Sequence, residues 1–449
     1  MNQRRLRVLV SAYACEPGKG SEPGVGWNWV LQISRFHEVW VITRANNRGP
    51  IDKALVSSPL PNVRWVYFDL PYWARFWKKG QRGVHLYYYL WQLAAYFRAR
   101  ELHRQVGFDL SHHVTFVIDW QPSFLCLLPI PFVWGPVGGS THHAPLRFWT
   151  EFGWRGVFYE LARTSAILTA RYLDPLVWLT RRKARAIVTM SKGAVAGLPR
   201  WARGKTFALG NVGLSSEEIP RSVSTPHVRT PLGATEAPVV FTTGRLVHWK
   251  GYTLLLKACA SCLNRGCRLA IRIGGSGPAE GKLRKLVRRL GIADHVTFLG
   301  RLRDRESVFS HLMACDIFVM PTLHDGPPVV FLEAMAVEKP VVCLDLGGAT
   351  EIVTPQTGIK VPAISPRQAV SDLAEAIGRL AEDPCLRARL GAAGRRRVEE
   401  HLDWDEKGLL IARLYDSVLA GNGLGVPGPS SSLVVEGSSN RRRRSEARL

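Results

Sequence analysis

The stretch Pro321-Thr-Leu-His-Asp-Gly-Pro-Pro-Val-Val-Phe-Leu-Glu-Ala-Met-Ala-Val-Glu-Lys-Pro340-Val-Val-Cys-Leu-Asp-Leu-Gly-Gly-Ala-Thr-Glu-Ile-Val353 reads as strand end, loop, helix, strand and glycine turn. Ile317 to Met320 is an apolar run of strand length, and Asp325 to Pro328 is turn chemistry. Val329 to Val337 keeps helical apolar spacing until Pro340 breaks it. Asp325 therefore lies in a loop beyond a strand's C-terminal end, and Glu333 lies eight residues later on a helix. In an open parallel sheet, ligands bind in the crevice beyond those strand ends, and the next helix offers its first amides to an anion. An acid placed beside such an anion site suits ligand hydroxyls. The plainer alternative is a capped surface helix that carries two acids by chance.

Outward from this stretch, the second half repeats the same grammar. Val239 to Thr243 is a strand that feeds a glycine turn flanked by Arg245 and Lys250, and Tyr252 opens a helix. Arginine grips phosphate oxygens as a fork and lysine meets them as a mobile point charge. Arg268 to Ile273 reads as a strand entering Gly274-Gly-Ser-Gly-Pro278, with a basic helix from Leu283 to Leu290. Val296 to Leu302 is strand and turn, and Asp304 to Cys315 is a helix. Further helices are expected over Gln368 to Ala381, Leu386 to His401 and Trp404 to Leu419.

The first half has its own strand series at Leu6 to Ser11, Val39 to Thr43, Val63 to Phe68, Phe132 to Ser140, which ends in a glycine turn, and Ala186 to Met190. The first strand feeds a glycine-rich loop holding Gly20, Ser21, Glu22 and Gly24, then a helix to about Arg35. That construction presents backbone amides to phosphate, without the lysine ending of a Walker loop. Asp109 to Pro122 ends a strand with His112, His113 and Asp119, residues able to hydrogen-bond a sugar hydroxyl or an acceptor. Phe148 to Lys183 is long, helical and basic. Two aromatic and basic segments stand out. Pro71 to Gly80 suits a membrane interface, with rings at headgroup level and cations on anionic lipid. Val84 to Arg104 fits either such an interface or a core helix with a basic outer face. Residues 214 to 237 read as a linker, and Gly421 to Leu449, with four consecutive arginines, as a disordered basic tail.

The spacing of Asp325 and Glu333, followed by Leu332-Glu-Ala-Met-Ala336, resembles the paired-acid motif of the retaining glycosyltransferases of family 4. Asp325 stands where that family usually has glutamate, and Pro327 where it usually has an aromatic residue. The resemblance covers about residues 6 to 420 and is strongest from 239 to 353. It implies an α/β protein of two doubly wound Rossmann-like domains facing a cleft, the GT-B fold. The first domain would span 1–213, joined by the helix 404–420, and the second 238–403. It also implies transfer of a sugar from a nucleoside diphosphate sugar to a saccharide or lipid-linked hydroxyl acceptor, with retention and without a metal or other cofactor. In this scheme Arg245, Lys250, Gly244, Gly274, Gly277, Arg301, Gly326, Val329 and Val330 hold the donor. Asp325 would hold the sugar hydroxyls and Glu333 the ribose. Gly20, Ser21, Glu22, Gly24, His112, His113 and Asp119 would form the facing wall of the cleft.

Composition bounds these readings. The 449 residues exceed one ordinary core and suit two or three domains. A net charge of +24 favours anionic partners: phosphorylated ligands, acidic lipid or nucleic acid. No nucleic-acid module accompanies it, so no nucleic acid is expected. Cys259, Cys262 and Cys267 have a spacing that invites a metal reading, but no second pair follows. A basic start without a signal peptide implies a cytoplasmic chain, and no run of about 18 apolar residues spans a bilayer. Rival readings are a GT-B phosphorylase using free phosphate, a non-catalytic nucleotide-sugar-binding relative, and a nucleic-acid-binding protein.

Overall fold

The computed structural model describes residues 4–78, 80, 83–138, 143–215, 218–219 and 237–421. It contains two parallel sheets flanked by helices, the α/β architecture implied by the sequence. The first sheet comprises β1 (Arg7–Ala12), β2 (Glu38–Thr43), β3 (Val63–Tyr67), β4 (Leu110–Thr115), β5 (Phe132–Val137), β6 (Ala186–Thr189) and β7 (Thr206–Ala208), in the order 3-2-1-4-5-6-7. The second comprises β8 (Val239–Thr243), β9 (Ala270–Gly274), β10 (Val296–Gly300), β11 (Ile317–Val319), β12 (Val341–Leu344) and β13 (Gly358–Val361), in the order 10-9-8-11-12-13. Central strands such as β4, β8 and β12 are buried throughout. Helices cover both faces, so these strands read as continuous apolar runs rather than alternating ones.

Each sheet reverses its strand order once, between β1 and β4 and between β8 and β11. Such switch points splay adjacent loops apart and open a crevice at the carboxyl ends of the strands. The loops that follow β1, β8 and β11 are the ones singled out in the sequence.

Several elements differ from the sequence reading. The helical stretch 148–183 is a short 3-10 turn, Leu146–Glu151, followed by the helices Gly153–Leu173 and Pro175–Lys183. Asp174 makes the break, because its carboxylate accepts the Leu176 amide (2.8 Å) and Pro175 opens the next helix. Ala144, Phe148 and Phe152 pack into the core of the second domain, although they follow β5 of the first. The Lys257 ammonium holds Glu151 there at 2.7 and 2.8 Å. The helix Trp404–Leu419 lies against the helix Ser21–Ser34, with the Trp29 and Trp404 rings edge to face at 5.6 Å. The tail and most of the linker lie outside the described residues.

Candidate active site

A cavity of about 800 Å³ lies between the two domains and is lined by both. From the second domain come Thr243, Gly244 and Lys250 after β8, and Asp325, Gly326, Pro327, Pro328, Val329, Val330 and Glu333 after β11. From the first come Gly20, Ser21 and Glu22 at the start of the helix Ser21–Ser34, with Tyr159 and Arg163 from Gly153–Leu173.

Close backbone packing fixes the second-domain wall. Gly251 has a positive φ of 73°, and a Cβ there would sit 1.9 Å from the Pro321 carbonyl oxygen. Only glycine lets the turn after Lys250 rest on the end of β11. The Leu323 amide then donates to the Trp249 carbonyl (2.8 Å), tying the two loops together. Gly348 packs equally closely on the other side: a Cβ would lie 2.1 Å from the Pro327 nitrogen, and its amide donates to the Asp325 carbonyl (3.1 Å). Between these clamps the Lys250 ammonium meets the Asp325 carboxylate at 2.8 Å, and the Thr322 hydroxyl also donates to that carboxylate. The pair places one mobile cation and one acid at the cavity wall.

Glu333 is buried and paired with Arg305 (2.7 Å), which also reaches Glu218 (2.6 Å). Burial raises the Glu333 pKa, and the guanidinium opposes that rise. On the facing wall the Val117 amide donates to Glu22 (2.8 Å). Burial pushes the Glu22 carboxyl up to about 7 despite that bond. The first turn of its helix has no side-chain cap and Pro23 contributes no N–H, which leaves the Ser21 and Glu22 amides, on residues that line the cavity, without a capping side chain.

Other expected site residues lie elsewhere. Arg245 is exposed, its guanidinium 5.4 Å from the centre of the Trp249 ring. Gly274 and Gly277 pack against the β8 turn, where a Cβ would meet Thr243 at 2.8 Å and the Leu246 carbonyl at 2.4 Å respectively. Arg301 is exposed after β10. Gly24 backs the first-domain loop, where a Cβ would lie 1.8 Å from the Lys19 carbonyl oxygen. These five do not line the cavity; they frame or flank it.

The assignments of His112, His113 and Asp119 to the cleft wall need correction. His112 is fully buried between the Tyr415 hydroxyl (2.6 Å) and the Gly135 carbonyl (2.7 Å). His113 is bonded to the Tyr88 hydroxyl (2.9 Å), and Asp119 is buried against Arg171 (2.9 Å). For the two histidines the cause is position, since β4 is central and both faces of the strand are covered. Asp119, in the loop beyond it, is instead turned inward by Arg171 and by Arg181, which donates to its carbonyl (2.9 Å).

The sequence reading also missed a cross-domain cluster. Glu160, on the first-domain helix, accepts from His248 (3.1 Å) and His324 (2.9 Å) of the second domain. The Trp249 ring lies between, stacked on His324 at 5.0 Å and on Tyr159 at 5.7 Å. Burial alone would raise the Glu160 pKa, but the two histidine hydrogen bonds hold it down to about 2. Arg163, one turn on, lines the cavity, and its buried Nη1 pairs with the Glu160 carboxylate at 3.8 Å, beyond hydrogen-bond distance. Only the adjacency of His324 to Asp325 hinted at this cluster.

Two Rossmann-like domains enclosing an anion-ready cleft define a GT-B protein, and comparisons agree. The fold matches sucrose-phosphate synthase from Thermosynechococcus elongatus (TM-score 0.64, 19% identity, 93% of this chain and 100% of that one). It also matches the Anabaena protein HepE in complex with UDP and glucose (TM-score 0.58, 19% identity, 92% and 100%). Residues 227–397 match the family model "Glycosyl transferases group 1". The GDP-mannose-dependent alpha-(1-6)-phosphatidylinositol monomannoside mannosyltransferase of Mycobacterium tuberculosis is 31% identical over 278 residues, 57% of this chain and 70% of that protein. The GDP-mannose-dependent monoacylated alpha-(1-6)-phosphatidylinositol monomannoside mannosyltransferase of Corynebacterium glutamicum is 36% identical over 197 residues, 42% of this chain and 50% of the relative. The alignment thus spans about half the length of the Corynebacterium relative. The chain belongs to the group 1 glycosyltransferases and is a glycosyltransferase.

Proposed function

We propose that this glycosyltransferase moves a mannosyl residue from GDP-mannose to a hydroxyl of a lipid-linked acceptor of the phosphatidylinositol class, with retention at the anomeric carbon. The observation that carries this reading is the Lys250–Asp325 pair at the wall of the two-domain cavity, facing the uncapped amides of the helix Ser21–Ser34. The names of the mycobacterial and corynebacterial relatives support the donor and the acceptor class.

In this reading the bond between the sugar C1 and the diphosphate oxygen breaks while C1 bonds to the acceptor oxygen on the same face. The acceptor proton passes to the departing phosphate oxygen, so no separate base is required. Lys250, with Arg245 swinging in from the cavity rim, stabilises the charge that develops on the diphosphate. Asp325 releases Lys250 to the phosphate and accepts hydrogen bonds from the sugar hydroxyls. Glu333 exchanges its Arg305 contact for the ribose hydroxyls. Arg163, from the opposite domain, meets the acceptor phosphate. Domain closure would bring these groups together around both substrates.

The test is transfer of labelled mannose from GDP-mannose into phosphatidylinositol-containing lipid, with the product linkage determined by proton NMR. An α-mannosyl lipid supports the reading. Transfer from UDP-sugars alone, or a β-linked product, would overturn the donor or the stereochemical part of it.

A further inference from the structure

The helix Gly153–Leu173 walls the cleft on one side and, among the described residues, is exposed on another. Trp154, Phe158, Leu161, Ser165, Leu168 and Tyr172 recur at spacings of four and three, so they form one stripe along the helix. All are exposed, Trp154 to 77% and Phe158 to 70%, and all but Ser165 are large and apolar. The neighbouring face carries Tyr159, Ala162, Arg163 and Ala166 into the cavity.

A second stripe lies on the helix Val84–Val106, where Leu86, Leu90, Leu93 and Phe97 are exposed at the same spacing. Its buried side, with Tyr87, Tyr88 and Trp91, belongs to the core, so its outer face is apolar over three turns rather than basic throughout. The two helices are joined where the Tyr89 hydroxyl donates to Asp174 (3.2 Å), and His85 of the second helix also lines the cavity. Tyr72, Trp73 and Phe76, on and just after the short helix Tyr72–Arg75, are exposed nearby in sequence.

Exposed apolar surface on this scale marks an interface. Charge selects the occupant. From residue 71 to 100 the chain has no aspartate or glutamate but has Lys78, Lys79, Arg82 and Arg100, besides Arg75 and Arg98, which pair with Asp69 (3.4 Å) and Glu101 (2.5 Å). On the other helix the Arg155 guanidinium sits 5.1 Å from the centre of the exposed Trp154 ring. A second copy would bring like charge against like, whereas an anionic surface is attracted. No described helix is long and apolar enough to cross a membrane. We propose that these stripes dock the protein on an anionic phospholipid bilayer, with the rings at headgroup depth, so that the cleft wall formed by Gly153–Leu173 stands at the lipid surface. This placement rests on the reading of the acceptor as a lipid, since it brings the cavity to where such an acceptor resides.

The test uses the full chain and co-sedimentation with vesicles of phosphatidylcholine alone or with about 30% phosphatidylglycerol, at low and high salt. The wild type should bind the anionic vesicles, and less so at high salt. The triple variant Trp154→Ser, Phe158→Ser, Leu168→Ser should lose at least about tenfold in partitioning. These side chains are exposed and lie off the cavity, so thermal unfolding and GDP binding by calorimetry should be unchanged. Absence of wild-type binding, or equal binding by the variant, overturns the proposal. So does a wild-type dimer that the substitutions dissociate while vesicle binding persists, which would assign the face to a second copy. Because GDP binding is read independently of lipid, failure of the docking surface and failure of the transferase reading are distinguishable.

Discussion

At the scale of single residues, the cleft is organised by charges that hold each other until a ligand displaces them. Lys250 rests on Asp325 and Arg305 on Glu333, so each potential ligand contact is preformed but occupied. Lys250→Ala should lower transfer about 100-fold, on the scale of removing one charge-stabilising donor, with the melting temperature little changed because the pair is part-exposed. Steady-state kinetics beside a thermal melt checks both halves of that expectation. Arg305→Ala should behave differently. It leaves Glu333 buried beside Glu218 without its cation and should cost about 3 kcal/mol of stability, while Glu333→Gln should cost less. Denaturant titration of the two variants decides the order. The acids Asp325 and Glu333 and the cation Lys250 were legible in the sequence because each follows a strand end and a turn at a fixed offset. Arg305, Arg163 and Glu160 were not, because they reach the site from elements distant in sequence, and nothing local marks the face they present. His112 and His113 misled for the opposite reason: their local setting at a strand end says nothing about the helices that bury them.

At the scale of elements, glycine turns position the site. Gly348 allows the β12 turn to touch the Asp325 loop, and a methyl group there would meet backbone atoms rather than a side chain able to move. Gly348→Ala should therefore cost about 3 kcal/mol and shift the Asp325 loop, lowering transfer as well as stability. Gly281→Ala, at a helical glycine with open space around it, is the matched control and should be neutral or slightly stabilising. Thermal melts of the two variants test the contrast. The strands were legible because parallel strands buried on both faces leave short apolar runs bounded by glycine, as Val239 to Thr243 shows. The break at Asp174 was obscured by helical apolar spacing on both sides of it. The docking of Phe148 and Phe152 on the second domain was also hidden, since their spacing reveals an apolar face but not which core it enters.

At the scale of the whole molecule, the two domains meet through more than a linker. Glu160 bridges to His248 and His324 behind the cavity-lining Tyr159 and Arg163, and Glu151 bridges to Lys257. The folded-state pKa of Glu160, about 2, lies below its usual 4.5. Between these values the unfolded chain binds the proton and the folded chain does not, so the bridge's contribution is present above about 4.5 and is lost as pH falls towards 2. Glu160→Gln should accordingly lose less stability than the wild type between pH 5 and pH 3 in matched denaturant titrations; an identical loss would remove Glu160 from the acid response. The strand series pointed by themselves to doubly wound units, and the GT-B architecture was legible only through the resemblance carried by the Asp325–Glu333 motif. The relative seating of the domains was not, since it depends on these cross-domain contacts. All of this geometry bears on one claim, that the cleft receives a nucleoside diphosphate sugar with its diphosphate on Lys250. Calorimetric titration of GDP and GDP-mannose into the wild type and the Lys250→Ala variant measures it directly. Binding by the wild type, weakened at least about tenfold in the variant, is the expected result; no binding by the wild type, or equal affinity in both proteins, would contradict it.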